Sequence, residues 1–267
     1  MVIHYLCTDA KNMILYSIVV VLLFIYEIAI GGYHRLIAYK AKLHKFANNC
    51  NLCLWDSASS ADGAQHALIE KVLQLSGIGA ESMVADLSFQ DFGQLAKVCE
   101  KTKEKVHVVC ACLSSIQSAR RSASEGKMVF SLGDGQIIPC QKDYLDTVIA
   151  WNPYLLGTTR TRLLEEACRA LKSGGVLIMV TVLGGKERME DLRLQIETIG
   201  FTITAEDITN ASLIPGMKRQ ISSLHYKDES HVLNKLVKAG TIITTCVVDK
   251  MVEQGWCSQH ILKCVKK

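Results

Sequence analysis

The sequence predicts an α/β protein with a doubly wound, mostly parallel sheet that carries helices on both faces, preceded by one N-terminal transmembrane helix. Two patterns predict the sheet. Short apolar runs alternate with helical segments of about ten residues, and one run, Val176–Val182, is apolar almost throughout. Such a run is typical of a central strand covered on both faces. The third observation is an apolar segment of 18 residues, Met13–Ile30.

The segment Met13–Ile30 contains a single charged residue, Glu27. As a helix it would be about 27 Å long, close to the thickness of a hydrocarbon core. Lysines and an arginine follow it, which favours a single-pass membrane protein whose bulk lies in the cytosol, for example on the endoplasmic reticulum. A cleaved signal peptide is the alternative, but no small-residue cleavage site precedes Gly31. We therefore divide the chain into a tail 1–12, an anchor 13–31, a basic linker 32–60 and a domain 61–267.

The composition fits one globular domain with an appendage. Of 267 residues, 49% are hydrophobic and 21% are charged, which argues against a disordered or collagen-like chain. The net charge of +4 is far from the clustered basic surface that duplex binding requires, so nucleic acid is not expected as a partner. The 11 cysteines are scattered, which suits a reducing compartment. Cys50 and Cys53 form one C-x-x-C without a second half-site, so no metal site is predicted.

The elements of the domain are predicted from helical spacing of apolar residues and from short apolar runs. The first helix, Ala64–Leu75, ends at Gly77. The helix before the central strand ends in Lys172-Ser173-Gly174-Gly175, a basic last turn followed by glycine. The other elements, in order, are strand Met83–Leu87, helix Gly93–Lys101, strand Val106–Leu113, helix Ser115–Ser124, strands Met128–Leu132 and Leu145–Trp151, helix Thr161–Leu171, strand Val176–Val182, helix Arg188–Ile199, and strands Phe201–Thr204 and Gln259–Val265.

Two stretches resemble S-adenosylmethionine-dependent methyltransferases, which have a Rossmann-like sheet. Leu163–Ile178 is similar to the helix ending in Leu-Lys-Pro-Gly-Gly before the fifth strand of that family, with Ser173 in place of the proline. Gly133–Pro139 resembles the Gly-Asp-x-x-x-Leu-Pro run of the ubiquinone and sterol methyltransferase-like group. In that family the acid at the position of Asp134 lies beside the adenine amino group. The resemblance implies S-adenosylmethionine as cofactor, bound in part by Gly133, Asp134 and Gly135.

The first cofactor loop departs from the family pattern. Val84–Phe92 stands where the family has Val-Leu-Asp-Leu-Gly-x-Gly-x-Gly; Asp86 matches, whereas Ser88, Gln90 and Phe92 replace glycines. Glycine is used in this loop because it lets the backbone approach the ligand closely. Gly93 lies one residue after the position of the last glycine in the family pattern. Cys112 stands near the position of the ribose-binding acid, and a thiol is a poor acceptor. Asp86, Ser88, Gly93 and Cys112 are thus the implied cofactor positions, and an active methyltransferase and a catalytically inactive binding subunit both stay open.

Residues after the fourth strand resemble a second family motif. Asn152-Pro153-Tyr154 is similar to the Asn-Pro-Pro-Tyr of amino and amide methyltransferases, in which the asparagine accepts a hydrogen bond from the target nitrogen. The resemblance implies Asn152 and Tyr154 as catalytic residues with Asn152 also beside the cofactor, while a simple turn is the alternative. His225 would supply a base. Because an anchor raises the local concentration of membrane substrates, we expect a lipid-like or other small-molecule acceptor, with an amine as the alternative.

Overall fold

The computed structural model describes residues 53–56, 58, 60–88, 93–110, 116, 126–133, 135–151, 160–184, 189–216 and 250–267. The predicted anchor Met13–Ile30 and most of the basic linker lie outside these residues. In the part of the chain that is described, no helix has the length and apolar character needed to cross a membrane.

The described helices and strands follow one another in the predicted order, while the predicted helix Ser115–Ser124 lies, except for residue 116, outside the described residues. Their bounds are α1 Ala61–Ser76, β1 Val84–Ser88, α2 Gly93–Lys101, β2 Val106–Cys110, β3 Met128–Leu132, β4 Leu145–Trp151, α3 Arg160–Ala170, β5 Leu171–Gly184, α4 Met189–Ile199, β6 Phe201–Asp207 and β7 Cys257–Lys266, with a short π-helical turn at Thr209–Leu213. Helix α1 begins where the Ser60 side chain accepts a hydrogen bond from the Gly63 N–H, and it ends at Gly77 in the left-handed conformation.

The seven strands form one sheet in the order β3-β2-β1-β4-β5-β7-β6. Strands β1 to β5 are all parallel to one another, whereas β7 is antiparallel to both β5 and β6. The predicted doubly wound, mostly parallel sheet is confirmed. Strand order reverses between β1 and β4, and in open α/β sheets the ligand crevice lies at the carboxyl ends of the strands at that point.

The sheet is covered by helices on both faces, and β5 shows this most clearly. Its residues Ile178 and Val180 pack into the apolar cluster that includes α1 and α2. The alternating residues Leu177 and Met179 pack into the other cluster, which includes α3 and α4. All four side chains are fully buried, as predicted for a central strand with two covered faces.

Strand β5 begins five residues earlier than the predicted Val176, because Leu171 already pairs with Leu145. Four residues then bulge out opposite Asp146 before Val176 pairs with Thr147. Gly174 takes a φ of 77° inside this bulge, a conformation that glycine adopts without strain. A Cβ atom on Gly175 would lie 2.8 Å from the Lys172 carbonyl oxygen and 3.2 Å from that of Asp146. The Lys-Ser-Gly-Gly stretch therefore ends the helix as predicted and also forms the start of the next strand.

Candidate active site

A buried carboxylate, that of Asp86, lies on β1 next to the switch point between β1 and β4, where open α/β sheets form their ligand crevice. The last residues of the two strands, Ser88 and Trp151, pair with each other. Asp86, two residues before Ser88 on β1, is fully buried. Its Oδ2 accepts a hydrogen bond of 3.2 Å from the Trp151 indole Nε1. Because the two residues belong to the strands that flank the switch point, this hydrogen bond ties the two sides of the crevice together.

Helix α2 brings a thiol close to this carboxylate. Burial raises the pKa of Cys99, and the negative charge of Asp86 raises it further, while Lys127 opposes the shift. Cys99 is therefore a protonated, buried thiol at neutral pH, which packs as a small apolar residue rather than acting as a nucleophile.

The loop that follows β3 turns tightly around two glycines. A Cβ atom on Gly133 would lie 3.3 Å from Val109 Cγ1 on β2, so the strand beneath leaves little room for a side chain. Gly135 is buried and has a φ of 82°, which an L-residue with a side chain adopts only under strain. Glycine is therefore favoured at position 133 because there is little room for a side chain, and at position 135 because of the backbone conformation. Asp134, between them, lies outside the described residues.

The same loop is held from the side by helix α3, through an ion pair that we call the α3 clamp: Glu166 and Arg169. Arg169 donates to both oxygens of Glu166 at 2.7 Å, from Nε and from Nη2. Glu166 Oε1 also accepts the backbone N–H of Ile138 at 2.7 Å. Arg169 Nη2 donates to the carbonyl oxygens of Ile138 and Cys140 at 3.0 and 3.1 Å. The α3 clamp thus joins Ile138 and Cys140, in the loop that follows β3, to the helix that follows β4.

The charge of Glu166 makes the α3 clamp sensitive to acid. Burial alone would raise the pKa of Glu166, but the hydrogen bonds from Arg169 and the Ile138 N–H outweigh it, so its pKa lies below the usual value. A lowered folded-state pKa stabilises the fold above the unfolded-state pKa of about 4.3, and this stabilisation is lost as the pH falls through the folded value. We expect Glu166→Gln to lower the melting temperature at pH 7, and the difference from wild type to shrink steadily below pH 4. Melting curves between pH 3 and pH 7 check this, and a difference that stays constant with pH would contradict it.

A second polar group lies on β7, near the carboxyl end of β5. Ser258 Oγ and His260 Nε2 are 2.8 Å apart. Burial lowers the pKa of His260, although the Asp207 carboxylate opposes the shift. Thr181, which pairs with His260 across the strands, is fully buried, and its Oγ1 has no hydrogen-bond partner among the described residues. The chain pattern alone does not reveal this group, since only the register of β5 against β7 brings Thr181 beside His260.

The predicted site residues fall into three sets. Asp86, Gly133 and Gly135 are described and lie at the carboxyl ends of β1 and β3. Ser88 and Gly93 are described as the end of β1 and the start of α2, and residues 89–92 between them lie outside the described part of the chain. Five others lie outside the described residues: Cys112, Asp134, Asn152, Tyr154 and His225. Within the described ranges no group of three or more His, Cys, Asp or Glu side chains is placed to hold a metal ion.

Residues 91–179 match a protein-family model described as a methyltransferase domain. This range includes Gly133 and Gly135 in the loop after β3 and the α3 clamp. No curated protein matches the sequence. Among solved structures, the [4+2]-cyclase SpnF superposes with a TM-score of 0.70 at 17% identity, over 89% of this chain and 95% of the other. The fold is therefore settled. The chain has the methyltransferase fold.

Two further solved structures with this fold belong to proteins named for different reactions. The cyclopropane synthase MmaA2 from Mycobacterium tuberculosis has a TM-score of 0.66 at 13% identity, over 80% of this chain and 89% of its own. The geranyl diphosphate C-methyltransferase from Streptomyces coelicolor A3(2), in complex with Mg²⁺, geranyl diphosphate and S-adenosyl-L-homocysteine, has a TM-score of 0.64 at 10% identity, over 85% and 92%. The methyltransferase fold thus hosts cyclases and synthases as well as methyltransferases, so the reaction has to be argued from the site.

Proposed function

We propose that the chain is a membrane-anchored, S-adenosylmethionine-dependent methyltransferase that acts on a lipid-like or other small-molecule acceptor. The observation that carries the proposal is the buried Asp86 at the switch point, on the strand where the family's first motif has its acid. The match of residues 91–179 to a methyltransferase domain supports it. The S-adenosyl-L-homocysteine bound to the geranyl diphosphate C-methyltransferase supports the choice of cofactor.

S-adenosylmethionine supplies a methyl group on a positively charged sulfonium, and the chain's part is to bind, orient and desolvate the two reactants. The buried Asp86 carboxylate gives the crevice floor a negative charge that favours a cationic ligand. Gly133 and Gly135 let the backbone of the loop after β3 approach the adenosine, with Asp134 proposed beside the adenine amino group. Asn152 and Tyr154 are proposed to orient the acceptor, and His225 to take up its proton.

The acceptor class follows from the proposed anchor at Met13–Ile30 and from the resemblance of Gly133–Pro139 to the ubiquinone and sterol methyltransferase-like group. A domain tethered on the cytosolic side of a membrane meets bilayer-resident acceptors at a raised local concentration. Alkaline carbonate extraction tests the anchor, since a spanning helix keeps the chain in the membrane pellet. Release of the chain into the supernatant would overturn this part of the proposal.

Transfer of a labelled methyl group tests the proposed reaction. We expect the full chain, reconstituted in vesicles made from a membrane lipid extract, to transfer label from S-adenosylmethionine into the organic phase. Soluble amines supplied with the same protein are the comparison, because Asn152 favours an amine acceptor as the alternative. Label that enters neither the lipid fraction nor the amine, from protein that binds the cofactor, would contradict the reaction.

A catalytically inactive binding subunit is the second candidate function. It is favoured by Ser88, Gln90 and Phe92, which replace the glycines of the first cofactor loop, and by Cys112 near the position of the ribose-binding acid. Losing that charge-assisted pair of hydrogen bonds would cost about 1.5 to 3 kcal/mol. Binding of S-adenosylhomocysteine without methyl transfer to any acceptor would support this second function against the first.

A further inference from the structure

We propose that Glu166 and Arg169 are positioning residues for cofactor recognition: the α3 clamp holds the loop 135–140 in the shape that selects an adenine base. This inference rests on the proposed function, and it extends that function to two residues of α3 to which the resemblance of Leu163–Ile178 assigned no role. Neither residue is proposed to touch the ligand. They act through the main chain of the loop: Glu166 accepts the N–H of Ile138, and Arg169 donates to the carbonyl oxygen of the same residue.

Burial and the number of hydrogen bonds distinguish the α3 clamp from an ordinary ion pair on a helix. Lys97 and Glu100 on α2 have the same i,i+3 spacing and a 3.0 Å contact, with exposed fractions of 36% and 61%. Exposed pairs of that kind contribute little. Arg169 is 37% exposed, much like Lys97, but Glu166 is only 13% exposed and accepts the Ile138 N–H in addition to the Arg169 guanidinium. The bidentate guanidinium contact fixes both the distance and the plane of the pair, which a lysine would not.

Residues 135–142 of the loop have no regular secondary structure, yet contacts hold this part of the chain along most of its length. Gly135 has its positive φ at the start, and Arg162 on α3 donates to the Gln136 side chain at 3.2 Å. The Ile138 side chain is buried in the core, and the Cys140 N–H donates to the Ile138 carbonyl at 2.7 Å. Arg162 and the α3 clamp therefore contact the loop at three residues, Gln136, Ile138 and Cys140. The position of the loop is therefore set by α3 and not by β3 alone.

A loop that is fixed before the ligand arrives pays less ordering entropy when the ligand binds, and it holds its recognition groups in one geometry. The segment at stake is the one that carries Gly133, Asp134 and Gly135. Disrupting the α3 clamp leaves those residues in the chain but lets the loop change shape. The expected consequence is weaker binding of the cofactor and, more specifically, a weaker preference for adenine over other purine bases.

Calorimetry on the full chain tests this, with S-adenosylhomocysteine and its inosine counterpart as the two ligands. We expect Arg169→Met to raise the Kd for S-adenosylhomocysteine about tenfold. We also expect it to reduce the preference for S-adenosylhomocysteine over its inosine counterpart. Arg169→Lys, which keeps the charge and loses the fork, is expected to fall between Arg169→Met and wild type. Glu100→Gln, on the exposed pair of α2, is the matched control and should leave both Kd values unchanged. A melting curve for each variant shows that it is folded.

A clamp variant that is folded and retains the wild-type Kd ratio for the two ligands overturns the proposal. A uniform loss of affinity for both ligands, with the ratio unchanged, also overturns it, because a merely structural role would weaken the two alike. If Arg169→Met does not fold, the decision rests on Arg169→Lys and Glu166→Gln, which conserve the size of the side chains. Wild-type protein that binds neither ligand would instead contradict the proposed function itself.

Discussion

Replacing Gly175 by alanine is expected to destabilise the domain by about 3 kcal/mol. The added Cβ atom would lie 2.8 Å from the Lys172 carbonyl oxygen and 3.1 Å from Leu171 Cδ2. It would also lie 3.2 Å from the Asp146 carbonyl oxygen, on the neighbouring strand β4. Two of these three atoms belong to the backbone, so the bulge at the start of the central strand has to shift. Urea denaturation followed by circular dichroism measures the change in the free energy of unfolding.

Gly184, at the other end of β5, is the matched control for this substitution. No atom of the described residues lies within 4 Å of a Cβ built there, and its φ is not positive. We expect Gly184→Ala to change the free energy of unfolding by less than about 1 kcal/mol. Equal stabilities of the two alanine variants would show that the bulge does not have the packing described above.

Replacing Asp86 by asparagine is expected to weaken binding of S-adenosylmethionine about tenfold or more, which corresponds to about 1.4 kcal/mol or more. Asparagine keeps the shape of the side chain, and its Oδ1 can still accept the Trp151 N–H, so the substitution removes chiefly the negative charge. The charge matters because the ligand is a cation and the site is shielded from water, where charges interact strongly. Calorimetry of the variant against wild type gives the ratio of the two Kd values.

Trp151→Phe makes the complementary change, since it keeps the charge of Asp86 and removes one hydrogen bond to it. If the charge is what favours the ligand, Asp86→Asn should weaken binding more than Trp151→Phe does. Trp256→Phe, at a tryptophan that is 57% exposed, controls for the loss of an indole elsewhere. Full retention of affinity in a folded Asp86→Asn protein would remove Asp86 from the binding site.

The strands and helices could be predicted from the sequence where an apolar run is bounded on both sides by polar residues or glycine. Met128–Leu132, Leu145–Trp151 and Gly93–Lys101 were predicted at the bounds they have in the structure. The start of β5 was not, because Lys172–Gly175 has the composition of a helix end and its pairing with β4 depends on a bulge. Hydrophobic periodicity carries no information about such a register shift.

The candidate site was predictable to the extent that it resembles a family motif. Asp86, Gly133 and Gly135 were identified in this way, whereas the hydrogen bond between Asp86 and Trp151 joins residues 65 positions apart. The α3 clamp illustrates the physical limit. Glu166 and Arg169 have the same spacing as opposite charges on any exposed helix, and only the packing of α3 against the loop after β3 distinguishes them.

Binding of S-adenosylmethionine to the wild-type full chain is the most direct test of the proposed function. Calorimetric titration is expected to give saturable one-to-one binding with a Kd between about 10 µM and about 1 mM, because the proposed replacement of the ribose-binding acid by Cys112 would cost about one to two decades of affinity. A folded protein that gives no binding heat at millimolar S-adenosylmethionine would contradict both the cofactor and the proposed reaction.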